Sequence, residues 1–152
     1  MSAEKTRQVS GREELGQHFH VTCGRAIVEG IQETLGKHGA RALLIQTGRK
    51  RGLSLSTEAD ISASDICAER ICEILINYLG QNGTRLCLVE RVTGSPDRLT
   101  VEVSNLIEDS ENCSYTLGVF TGFLEGCLNE KFQGQIESIG ASHSAVISLN
   151  QI

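Results

Sequence analysis

The sequence predicts an α+β fold: N-terminal helices packed on an antiparallel sheet of two hairpins, with one buried helix at the centre. Three observations carry that expectation. The first half of the chain spaces its apolar residues as helices do. Between 85 and 103 the spacing changes to that of strands. Residues 113–128 then carry no charge before Glu125 and are apolar nearly all round, as a centrally buried helix requires. At 152 residues the chain is expected to form one domain over 15–152, preceded by a polar arm over 1–14.

Each element follows from its local pattern. From Gln17 to Leu35, the residues Phe19, Cys23, Ile27, Ile31 and Leu35 form an unbroken i, i+4 series, which predicts an amphipathic helix. Gly36 and Gly39 offer its stop. A second helix is expected over 40–53 around Leu43, Leu44 and Ile45, with Gly48 and Gly52 sharing one face. Ser54 to Asp60 reads as a polar loop. Ser62 or Ser64 then caps a third helix running to about Leu79, with Ile66, Ile71, Ile74, Leu75 and Tyr78 as core candidates. Gly80 ends it, and Asn82-Gly83 makes a turn. The segments 85–89 and 99–103 read as strands joined through Gly94-Ser95-Pro96-Asp97. Residues 105–112 form an acidic loop ending in Asn112 as the N-cap of the central helix. Strands over 133–139 and 144–149 close the chain, with a turn around Gly140 to Ser142.

Composition removes several function classes. Lys plus Arg number 14 against 19 Asp plus Glu, a net charge of -5, whereas neutralising phosphates takes a concentrated basic surface. The one basic cluster, Arg49-Lys50-Arg51, is too short to change that, so no nucleic-acid partner is expected. The uncharged run Asn112 to Leu124 is too short to span a membrane and is interrupted by Gly118 and Gly122. Residues 1–14 show no apolar core of a signal peptide. The six cysteines lie inside apolar periodic segments and read as reduced core thiols, so a cytoplasmic protein is expected.

Chemistry concentrates on the central segment. Four of the six aromatic residues lie between Tyr115 and Phe132. At helical spacing Tyr115, Val119, Phe123 and Cys127 form one stripe flanked by Phe120, while Gly118, Gly122 and Gly126 line another face. Such a pair of faces reads either as a pocket wall, with flat apolar contact beside open backbone, or as core packing in which the glycines admit a neighbouring helix.

Other sites find little support. Cys67 and Cys72 sit roughly 140° apart on a helix, and neither a CxxC nor an HExxH pattern occurs. His18 and His20 read as surface or partly buried histidines, and His143, in the final turn, as solvated. No nucleophile elbow or glycine-rich phosphate loop is present, and the acidic pairs Glu13-Glu14 and Glu108-Asp109 read as solvated. An enzyme is not expected.

The stretch Cys113-Ser-Tyr-Thr-Leu-Gly118-Val-Phe-Thr-Gly122-Phe-Leu-Glu-Gly126, followed by Glu137, resembles the C-terminal signature of the 4-vinyl reductase (hydrocarbon-binding) domain family. Thr47-Gly48-Arg49-Lys50-Arg51-Gly52 is similar to that family's Gly-Arg-x-x-Gly helix, and the similarity covers roughly 15–150. The resemblance implies an α+β fold shared with TRAPP-type subunits (also called NO-ligand-binding-like), commonly a homodimer, around a cavity for a small apolar molecule. It implies an accessory or sensor role and no catalysis. Zinc-binding members pair a helix-start Cys and a Glu with cysteines three and eleven residues after that Glu. Here Cys113 and Glu137 remain but Gly140 and Ser148 stand at the other two places, so no structural zinc is expected and the departure counts against a pocket of the phenol-sensor type.

The sequence therefore leads to a non-catalytic binding protein holding a flat hydrophobic ligand, a tetrapyrrole or an aromatic hydrocarbon. Tyr115, Val119, Phe120 and Phe123 supply contact, with Gly118 and Gly122 beside them and Phe19, Cys23 and Tyr78 reaching in from other helices. The alternative is a scaffold or assembly factor of TRAPP-like fold with a collapsed cavity.

Overall fold

A computed structural model describes Glu14 and residues 20–109, 113–140 and 143–152. Helices α1 (Val21–Ala59), α2 (Ile71–Tyr78) and α3 (Ser114–Leu128) pack with strands β1 (Leu88–Ser95), β2 (Arg98–Ser104), β3 (Phe132–Ile139) and β4 (Ala145–Gln151). The four strands form one antiparallel sheet in the order β1-β2-β4-β3, so the two hairpins join through their second strands. This is the α+β architecture that the sequence predicts.

α1 is one helix by hydrogen bonding and two arms by geometry. Gly36 sits at φ 71° and ψ 169°, outside the helical region and open mainly to glycine. A straight helix would put Arg25 roughly 35 Å from Gly48, at about 1.5 Å per residue. Yet Arg25 Nε donates to the Ile107 carbonyl at 3.2 Å, in the loop that leads to α3, and Gly48 packs on the first turn of α3. The first arm therefore folds back at Gly36. Val28, Ala40 and Leu44, with Ile31 and Tyr115, form a small apolar cluster between the arms.

The expected stop thus becomes a bend, and Gly39 lies within the second arm. That arm also continues through the expected loop 54–60. Ser56 and Thr57 hydroxyls donate to the Leu53 carbonyl at 2.7 and 3.1 Å, so these polar residues bond within the helix, and Leu55 and Ser56 are buried. Asp60, at φ 53°, ends it.

Two further boundaries differ from expectation. The third predicted helix divides into a short 3-10 turn over Ala63–Asp65 and α2, because the Ser62 amide bonds the Asp65 carboxylate at 3.3 Å and closes a local turn. The first strand starts at Leu88, after Thr84, Arg85 and Leu86 fold back to carbonyls of Tyr78, Gly80 and Leu79.

The core lies between one sheet face and the helices. Leu99, Val101 and Val103 of β2 pair with Leu149, Ile147 and Ala145 of β4, and all six are buried, as a period of two requires when one face is covered. Ile71, Ile74, Leu75 and Leu79 join them from the α2 segment, and Leu117, Phe120, Phe123 and Leu124 from α3.

One amphipathic face is turned the other way from expectation. Of the series that begins at Phe19, which lies outside the described residues, Cys23 is exposed, Ile27 is 56% exposed and Leu35 50% exposed. Of its described members, only Ile31 packs inward, alongside Val28. The fold-back at Gly36 is the reason: the inner side of the first arm is the one set against Ala40 and Leu44.

Candidate functional site

α3 is positioned by a buried carboxylate. Glu108 is 2% exposed and accepts hydrogen bonds from the amides of Tyr115 and Thr116 at 2.9 and 2.8 Å and from the Thr116 hydroxyl at 2.6 Å. It satisfies donors that a helix N-terminus leaves without partners, and its charge sits at the positive end of the helix dipole. Burial pushes its pKa up, against those hydrogen bonds, which pull it down. The sequence reading took Glu108 as solvated and assigned the cap to Asn112, which lies outside the described residues. The signal available was an acidic residue a few positions before a helix that carries no charge until Glu125 and no acid in its own first turn.

The loop bearing Glu108 is held on both sides. Arg25 bonds the carbonyls of Leu106 and Ile107, while His143, itself exposed, bonds the Glu108 carbonyl through Nδ1 at 3.2 Å and accepts the Leu106 amide at 3.1 Å. Burial raises the thiols of Cys87 and Cys113 to about 12, helped by the negative charge of Glu108, and Cys127 to about 11. These three are inert core thiols, whereas Cys67 and Cys72 are half-buried.

The glycine face of α3 is filled by α1. A Cβ on Gly118 would collide with the Ile45 carbonyl and stand 3.0 Å from the Arg49 amide; one on Gly122 would strike the Arg49 carbonyl and lie 2.8 Å from its Cα. Reciprocally, Gly48 faces Tyr115 O and the Val119 amide, and Gly52 faces Val119 O and the Phe123 amide. Two helix backbones touch here with no side chain between them. Gly118 and Gly122 therefore border α1 and leave no space for a ligand on that face. The resemblance segment 47–52 is the other half of this seam, and its Arg49 pairs with Glu125 at 2.6 Å.

The aromatic face points the other way. Phe120 and Phe123 are fully buried, Val119 nearly so, and the Phe123 ring lies 5.9 Å from that of Tyr78 at an interplanar angle of 30°. Tyr78 and Tyr115 are half-buried, and burial raises the Tyr115 hydroxyl pKa. The structure thus brings Tyr78, Phe120 and Phe123 into the main core. It sets Tyr115 at the junction with the small cluster between the arms of α1. Cys23 does not join them; it stands exposed on the first arm because that stripe faces outward.

The remaining positions of the zinc comparison separate. Cys113 is buried under the start of α3, whereas Ser148 lies between core-facing Ile147 and Leu149 and so faces the opposite side of the sheet, where its hydroxyl donates to Glu137 at 2.6 Å. Among the described residues, no group of three or more His, Cys, Asp or Glu is placed to hold a metal, and no helix is long and apolar enough to cross a membrane.

Among the open grooves bordered by the described residues, two differ in chemistry. One, of about 260 Å³, is bordered by Glu90, Glu102, Ser104, Ser138 and Ser144. The other, of about 380 Å³, runs between the second arm of α1, α3 and the edge strand β3.

No protein-family model and no curated protein matches the chain. Solved structures do. The crystal structure of the phenol-responsive sensory domain of the transcription activator PoxR, with phenol, matches over 89% of this chain and 76% of that one, at a TM-score of 0.63 and 14% identity. The two share a fold. At that identity the likeness extends to the layout of helices and sheet and not to individual side chains.

Proposed function

We propose that this chain is a non-catalytic small-molecule-binding module, an accessory or sensor that takes a flat apolar ligand among Tyr78, Tyr115, Val119, Phe120 and Phe123. The observation that carries the reading is the fold shared with a phenol-responsive sensory domain. The buried aromatic cluster supplies flat apolar surface of the right kind. Tyr78, half-buried at the edge of that cluster, is the side chain that swings to admit a ligand. In this reading the ligand is held by packing. The preferred ligands are aromatic hydrocarbons, phenols or tetrapyrroles.

A specific observation favours a second reading, an assembly role. Val21, Ile27, Leu35, Leu43 and Leu53 leave large apolar side chains exposed along both arms of α1. A second copy of the chain covering them makes a homodimer. Native mass spectrometry before and after incubation with phenol, naphthalene and protoporphyrin, with melting curves in parallel, tests both. A dimer carrying one adduct per chain and a raised melting temperature supports the binding reading. A dimer that takes up none of the three and melts unchanged overturns it in favour of the scaffold.

A further inference from the structure

The bend in α1 rests on one residue. Gly36 lies at φ 71° and ψ 169°, a region that residues with a side chain rarely enter, and helix runs up to it on both sides. Nothing lies within 4 Å of the position its Cβ would take. The bend is therefore held by torsion at this residue and by whatever docks the first arm, not by packing around Gly36. With Gly36 in helical geometry, α1 is one straight helix of 39 residues, about 58 Å long.

The contacts that dock the first arm are ones a second copy can supply equally well. Val28 and Leu44 stand eight residues before and after the bend and share their cluster with Ile31, Ala40 and Tyr115. Arg25 bonds the carbonyls of Leu106 and Ile107, far along the chain. Each of these contacts joins the arm to the body beyond the bend, so each can form within one chain or between two. Two further features favour exchange. Leu35 follows Val28 and Ile31 at the spacing i, i+3, i+7, yet stands exposed one residue before the bend. Gln32, on the same arm, keeps its side-chain nitrogen buried with no hydrogen-bond partner among the described residues, a cost that opening the arm removes.

We propose that α1 is an exchangeable element: Gly36 turns helical, α1 straightens, and the first arm of each copy docks on the body of the other. The proposal rests on the assembly reading above and names how the second copy is held. Exchange keeps the arm's contacts and changes the backbone at one residue, which is the low-cost route to a dimer. It also brings the two hinges together about the twofold axis, where each Leu35 is covered.

The test combines native mass spectrometry with spin-label distances on the full chain. Labels go on Cys23 and on Lys50→Cys, both exposed positions, with Cys67→Ser and Cys72→Ser removing the half-buried thiols. Labelled chain is diluted in unlabelled, so that distances within one chain are read. The two positions lie about 40 Å apart in a straight helix and closer in the bent one. Gly36→Ala disfavours the bend and favours helix without a clash. It should raise the dimer association constant about tenfold or more and move the distance to about 40 Å. In that background the bent monomer is no longer available, and the Arg25 bonds form between chains. Adding Arg25→Ala should then weaken the dimer about tenfold or more, whereas adding Ile27→Ser leaves it unchanged. If Gly36→Ala does not fold, the distance is measured in the dimer fraction of the parent. A dimer lost with Ile27→Ser but kept with Arg25→Ala overturns the exchange and leaves the assembly reading standing. So does a dimer whose chains give the shorter distance. Absence of dimer from parent and Gly36→Ala alike overturns both.

Discussion

The two faces of α3 both repeat at helical spacing and do opposite things. Gly118 and Gly122 meet the backbone of α1, where carbonyls and amides of both helices stand in contact. Phe120 and Phe123 meet side chains of α2 and the sheet, including the tilted ring of Tyr78. Backbone against backbone has no rotamer to change, so the glycine seam holds one arrangement. Side chain against side chain can repack at modest cost, since volume-conserving exchanges in cores are tolerated. The aromatic face is therefore the one able to admit a ligand, and the glycine face supplies the rigid support behind it.

The largest effects are expected at the seam. Gly52→Ala or Gly122→Ala forces a methyl into the carbonyl of Val119 or of Arg49, and the two helices must separate to relieve it. Overpacking of this kind costs about 3 kcal/mol, at the upper end of its usual range because nothing nearby can rotate away. Urea denaturation should show a clear drop in midpoint. A near-neutral result would mean that α1 and α3 are not in backbone contact, and the contrast between the faces would go with it. Gly126→Ala is the internal control. Its added methyl meets the Ser56 hydroxyl, which can rotate, and the Ser56 Cβ at 2.7 Å, where the other two meet only backbone, so its cost should be smaller.

Next in size is the carboxylate that holds both faces in register. Glu108→Ala removes three hydrogen bonds at the start of α3, two of them from amides that would be left buried without partners, and should cost about 2 to 3 kcal/mol. The titration of the native residue has a definite sign. Its folded pKa is raised by burial, so the folded state binds the proton more tightly than the unfolded chain. Its contribution to stability is therefore greatest below the ordinary carboxylate range and declines as pH rises through the raised folded value. Glu108→Gln should remove that decline. Melting curves of parent and variant across the acid-to-neutral range would diverge if the slope belongs to Glu108, and run parallel if it belongs elsewhere.

How far the sequence could be read differs between these features, for physical reasons. The central helix and the two strand pairs were legible because apolar periodicity reports burial directly: Leu99, Val101, Val103 and Ile147 all face the core as alternation requires. Gly48 and Gly52, and Gly118 and Gly122, could each be placed on a common face. That the two pairs meet is a tertiary fact that neither segment contains. The outward turn of Cys23, Ile27 and Leu35 was not legible, because periodicity marks an apolar face without naming what covers it. Glu108 was missed for a related reason. An acidic residue in a polar loop looks the same in sequence whether it meets water or the N-terminus of a buried helix.

On the aromatic face, Phe123→Leu sharpens the comparison by separating ligand from fold. The exchange keeps an apolar side chain of similar reach, so the stability loss should be about 1 kcal/mol, but it removes the ring that faces Tyr78. In the binding reading, the rise in melting temperature produced by naphthalene or protoporphyrin should shrink by more than the variant's own loss accounts for. Equal response of parent and variant would leave Phe123 as packing only.

The smallest effect concerns a glycine away from the seam. Gly30 lies in the first arm of α1, exposed, with nothing within 4 Å of the position its Cβ would take. In an uncovered helix, Gly30→Ala gains helix propensity and should raise stability by about 0.5 to 1 kcal/mol, opposite in sign to the same exchange at Gly52. The sign is informative because the exposed Ile27 lies on the same arm. If a second copy packs closely across Gly30, the added methyl meets it, and the variant should lose dimer in native mass spectrometry instead of gaining stability. A gain with the oligomeric state unchanged would place any subunit contact elsewhere along α1. A loss would make Gly30 an intermolecular counterpart of the contact that Gly48 and Gly52 make within one chain.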